Sequence, residues 1–74
     1  MQHYLNLNGN SGVNSFELGN TYIRVIFKGN YKLYQYSYNR AGEFHVENMK
    51  KLAIEGSGLN SYINQYVRHL FDRF

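Results

Sequence analysis

Two Gly-Asn pairs, Gly19-Asn20 and Gly29-Asn30, cut residues 13–38 into three short segments whose side chains alternate between apolar and polar. Both residue types tolerate positive φ, so each pair suits a two-residue hairpin loop. The spacing therefore predicts strands over residues 13–18, 21–28 and 31–38. The last of these holds four tyrosines in eight positions, Tyr31, Tyr34, Tyr36 and Tyr38, and aromatic density of that order favours a strand. With two-residue loops, Val25 falls opposite Tyr34, Ile23 opposite Tyr36, and Phe16 opposite Ile23. Phe16, Leu18, Ile23, Val25, Phe27, Tyr34 and Tyr36 then share one face. Tyr22, Arg24, Ile26, Lys28, Tyr31, Leu33 and Gln35 share the other, which mixes rings with positive charge.

A chain of 74 residues leaves room for one domain with a thin core, since a domain of this size buries only about 60% of the surface its unfolded form exposes. No cysteine is present, so disulfides, thiol metal sites and thiol catalysis are excluded. Eight tyrosines and five phenylalanines supply the bulk instead, each able to bury about 150–250 Å². Proline is absent and asparagine occurs ten times, which leaves the turns to Gly and Asn. The net charge of +3 is a mild bias toward acidic partners. With no long apolar run and no leader pattern at Met1-Gln2-His3-Tyr4, the expectation is a soluble protein of the cytoplasm, with no membrane partner.

After Asn39-Arg40-Ala41-Gly42 the period lengthens to that of a helix. Phe44, Val46, Met49, Leu52 and Ala53 fit about three turns, with Glu43 and Glu47 early and Lys50 and Lys51 late, as the helix dipole favours. Gly56-Ser57-Gly58 ends it. Asn60 or Ser61 is placed to cap a second helix carrying Ile63, Val67, Leu70 and Phe74 on one stripe. The expected fold is α+β: a three-stranded antiparallel β-meander followed by two α-helices packed on one face. Residues 1–12, polar and glycine-rich, read as a flexible lead-in to a single domain over 13–74.

The segment Ile23-Arg24-Val25-Ile26-Phe27-Lys28-Gly29, the element Tyr34-Gln35-Tyr36, and the pattern Tyr62-Ile63-Asn64, Val67-Arg68 and Phe71 together resemble the KTSC domain. That small module is named for its occurrence at the C-terminus of some lysyl-tRNA synthetases, and it also stands alone in small bacterial and phage proteins. The resemblance covers residues 13–73. It departs in the missing proline after the Tyr-x-Tyr strand and in a longer stretch between the helices. It implies the same meander-plus-helices fold and, from the synthetase context, RNA binding.

Catalytic and metal chemistry lack a residue pattern here. His3, His45 and His69 are dispersed, His69 and Asp72 make only a two-ligand face, and the serines Ser15, Ser37, Ser57 and Ser61 sit in no nucleophile motif. No cofactor is expected, and the chain reads as a non-enzyme. Two binding functions remain. One is a nucleic-acid module, RNA foremost, using Tyr22, Arg24, Lys28 and Tyr31 on the basic-aromatic sheet face with Arg68 or Arg73 in support. The other is a protein-binding inhibitor or adaptor of the kind phages and mobile elements encode, for example against a host defence complex, using tyrosine-rich contact area. Self-association through the third strand, a candidate sheet edge, is a further possibility. Tyr34 and Tyr36, facing aliphatic partners, fit the core better than a ligand.

Overall fold

The computed structural model describes residues 1–7, 9, 12–29 and 32–72. Four antiparallel strands lie in the order of the chain: β1 (Gln2–His3), β2 (Val13–Leu18), β3 (Tyr22–Phe27) and β4 (Leu33–Ser37). The expected three-stranded sheet is corrected to four. Gln2 and His3 pair with Phe16 and Ser15, and the next residue, Tyr4, is only 1% exposed. The sequence hides this strand because it is only two residues long and lies in a polar, glycine-rich stretch. Of the lead-in, residues 8, 10 and 11 lie outside those described.

Register follows the expectation on one side and shifts on the other. Val25 pairs with Tyr34 and Ile23 with Tyr36. Between β2 and β3, Val25 pairs with Phe16 and Ile23 with Leu18, a shift of two residues from the predicted pairing. The cause is the turn: Gly19 N–H donates to the Tyr22 carbonyl at 2.9 Å, so Gly19 closes the ladder and Asn20-Thr21 form the loop. A two-residue shift preserves faces, so the predicted apolar surface survives. A bulge between Val13 and Ser15 inserts one extra residue into β2, so that Val13 is buried in the core as well.

Helix α1 (Glu43–Glu55) begins after Gly42, whose φ of 98° is open mainly to glycine. It ends at Gly56, a left-handed cap whose N–H reaches the Ala53 and Leu52 carbonyls. The second helix starts earlier than predicted. Gly58 precedes it, not Asn60 or Ser61, and α2 (Leu59–Tyr62) continues directly into a π-helical segment, Ile63–Val67. The Leu59 N–H, which has no partner within the helix, donates to the Tyr4 hydroxyl at 3.3 Å. The N-terminal segment is thereby tied to α2.

Both helices cover one face of the sheet. Val46, Met49 and Ala53 from α1 and Leu59, Ile63 and Val67 from the second helix join Tyr4, Val13, Phe16, Ile23, Val25 and Tyr36 in one core. Fully burying each such Val, Leu or Ile is worth about 1.5–3 kcal/mol. Phe44, expected on the apolar stripe of α1, is 74% exposed instead. Among the described residues no helix is long and apolar enough to cross a membrane.

Candidate nucleic-acid interface

Of the residues expected to bind on the outer sheet face, Tyr22 and Arg24 lie together there, and Arg24 is already engaged. Arg24 donates from Nε to Gln35 Oε1 at 2.8 Å and from Nη1 to Glu17 Oε1 at 3.1 Å, and its guanidinium lies 4.8 Å from the centre of the Tyr22 ring. Gln35 passes the network on, donating from Nε2 to Asp72 Oδ2 at 2.7 Å, while the Ser37 hydroxyl donates to Asp72 Oδ1 at 2.8 Å. One arginine on this face is thus flanked by a carboxylate from β2 and, through Gln35, by another from the C-terminal tail. A phosphate arriving here would compete with Glu17 for the guanidinium. Tyr31 and Arg73, also expected to bind, lie outside the described residues.

The remaining two predicted cations meet elsewhere. Lys28, just past β3, and Arg68, just past the π-helical segment, line one groove with Phe27, Tyr34, Tyr36, Ile63, Asn64, His69 and Phe71. Its volume is about 460 Å³. Phe27, Tyr34 and Phe71 form an edge-on series, with ring centres 5.4 Å and 4.9 Å apart. The Lys32 ammonium lies 5.3 Å from the centre of the Tyr34 ring. Among the described residues no carboxylate lines the groove, and neither Lys28 nor Arg68 has an ion-pair partner.

The helix builds its side of this groove through its winding. The segment Ile63–Val67 is π-helical, and Asn64, Arg68 and His69 from this part of the chain supply the polar lining. The tail then reverses and brings Phe71 back onto Tyr34 and Tyr36. Asp72 N–H donates to the Gln35 carbonyl at 2.7 Å, so the tail covers the outer edge of β4 at that point. Phe71 points to the inner face and Asp72 to the outer, as an added strand would.

A second hollow, about 500 Å³ and lined by Ser37, Asn39, Arg40 and Asp72, has no ring and includes a carboxylate, so it suits an anionic ligand less well. Away from the groove, Phe44, His45, Tyr62 and Tyr66 form a ring cluster along the helices. His45 stacks on Tyr66 at 5.8 Å, and the Tyr62 hydroxyl shares a hydrogen bond with His45 Nδ1 at 2.7 Å and accepts one from Asn48 at 3.1 Å. Among the described residues no group of His, Asp or Glu is arranged to hold a metal ion.

Sequence reasoning missed Tyr34, Tyr36, Asn64, His69 and Phe71 as groove residues. One signal was present: Asn64 and Arg68 are four apart on the last helix, and Lys28 and Tyr34 flank the same hairpin. Nothing in the sequence joined the two. Comparison with protein-family models, with curated proteins and with solved structures finds no match.

Proposed function

We propose that this chain is a small KTSC-like, non-enzymatic module that binds nucleic acid, RNA foremost, and that its ligand lies in the groove between the β3–β4 hairpin and the second helix. The carrying observation is the convergence of Lys28 and Arg68 on a ring-lined groove whose described lining includes no carboxylate. Cations that need not abandon a partner can neutralise phosphates at little cost, and exposed ring surface accepts unstacked bases of any type. Single-stranded RNA has both kinds of group, and duplex RNA keeps its bases out of reach.

Salt dependence tests the reading. If Lys28, Lys32 and Arg68 each meet a phosphate, the slope of log K against log salt for a single strand is roughly −2, from about −0.7 per contact. Lys28→Ala and Arg68→Ala each flatten it by about 0.7. A flat salt response in the parent chain would defeat this assignment.

A second reading is favoured by one observation. Phe44 is 74% exposed and Tyr66 52%, on the same ring cluster, and half-exposed aromatic side chains are common anchors at protein interfaces. On this reading the chain is a protein-binding inhibitor or adaptor. Phe44→Ala with Tyr66→Ala would then abolish capture of the protein partner while leaving RNA binding intact.

A further inference from the structure

We propose that the groove accepts a single unstacked nucleotide, with the Tyr36 hydroxyl contacting the polar edge of its base. The inference rests on reading the groove as the nucleic-acid site, and it assigns a role to a residue otherwise occupied with packing.

Tyr36 is 2% exposed, yet among the described residues its hydroxyl enters no hydrogen bond. Three other packed tyrosines differ: Tyr4 accepts from Leu59, Tyr38 donates to Glu47, and Tyr62 pairs with His45 and Asn48; half-buried Tyr34, which lines the same groove, shares the feature with Tyr36. Among the described residues no fully enclosed side-chain nitrogen or oxygen lacks a partner. The unpartnered Tyr36 hydroxyl therefore keeps an opening, and the groove is an opening that Tyr36 lines. Phenylalanine would fill the same space with no polar group to satisfy. A hydroxyl held there is suited to a partner that arrives from outside.

The groove divides as a nucleotide does. Phe27, Tyr34 and Phe71 supply ring surface, and Lys28, Asn64, Arg68 and His69 supply polar and cationic groups. A base entering against the rings leaves its phosphates beside Lys28 and Arg68, and its carbonyl or ring-nitrogen acceptors within reach of the phenol. Burial, reinforced by neighbouring Tyr34, raises the Tyr36 phenol well above the usual tyrosine range, so the group is a proton donor at any physiological pH. A volume of about 460 Å³ lies within the roughly 300–1,000 Å³ typical of small-ligand pockets.

The test compares the parent chain with Tyr36→Phe on two probes: short single-stranded RNA, and the same strand made abasic so that only the sugar-phosphate backbone remains. The expected result is a loss of about tenfold in RNA affinity for Tyr36→Phe, the scale of one hydrogen bond, with equal affinity of both proteins for the abasic strand. Thermal stability of the variant should be unchanged or higher, which separates a ligand contact from a structural one. Equal RNA affinity in the two proteins, or an equal loss on the abasic strand, overturns the inference and leaves the nucleic-acid reading standing. If the parent chain binds neither strand, the nucleic-acid reading fails and takes this inference with it.

Discussion

Lys28 and Arg68 line the same groove, although one follows a strand and the other a helix near the end of the chain. Arg24, four residues before Lys28 in sequence, faces the opposite side of the sheet and is held by Glu17 and Gln35. Replacing these three cations should therefore give unequal results. Lys28→Ala and Arg68→Ala weaken RNA binding several-fold at moderate salt. Arg24→Ala leaves binding within about twofold and lowers stability by about 1 kcal/mol through its lost hydrogen bonds. Fluorescence anisotropy and urea unfolding measure the two effects separately.

The Asp72 carboxylate should stabilise the fold and shield an edge. It accepts from Gln35 and Ser37 while its own N–H covers the Gln35 carbonyl. Asp72→Ala should cost about 1–2 kcal/mol, since the bonds are charge-assisted but half-exposed. It should also loosen the tail from β4 and increase self-association through the freed edge. Sedimentation at rising concentration detects that change against the parent chain.

Gly56→Ala should cost about 1–3 kcal/mol. Its φ of 78° is left-handed, and an added Cβ would stand 2.6 Å from the Leu5 Cβ, which no rotation of Leu5 can relieve. The N-terminal segment must move, and the Leu7 N–H bond to the Gly56 carbonyl, 2.8 Å in the parent, should break. Loss of amide protection at Leu7 in hydrogen exchange is the matching signature.

Tyr38 and Glu47 predict a stability change at each end of the pH scale. The Tyr38 hydroxyl donates to Glu47 at 2.6 Å, and that bond, with smaller contributions from burial and nearby carboxylates, raises the phenol to about 12. A raised pKa favours the protonated form in the fold, so the contribution is full below pH 10 and is lost as pH climbs toward 12. The Glu47 carboxyl is lowered by the same bond and by Lys50, so its contribution is full above the usual carboxylate range and is lost as acid protonates it. Tyr38→Phe should flatten the melting temperature against pH at both ends.

The sheet was legible because hairpin loops and alternation are local signals. Val25 with Tyr34 and Ile23 with Tyr36 followed from counting across Gly29-Asn30. β1 was not legible, because two residues carry too little pattern and only pairing with Phe16 and Ser15 defines them as a strand. The site was half legible. Lys28 and Arg68 were chosen for charge, but a single strand pattern assigns Lys28 and Arg24 to one face and cannot show that Glu17 neutralises one while the returning helix meets the other. The aliphatic cross-strand partner of Tyr36 favours the core without deciding it, and the side chain is buried there. Its hydroxyl matters only because no neighbour satisfies it, and that becomes visible only once the side chains are packed.

Backbone amide shifts during titration with single-stranded RNA, at low and then moderate salt, test the central claim most directly. The account predicts shifts at Lys28, Tyr34, Asn64 and Arg68 that fade as salt rises, with Glu17, Tyr22 and Arg24 little changed. Shifts concentrated on Glu17, Tyr22 and Arg24, with the groove residues still, would contradict it.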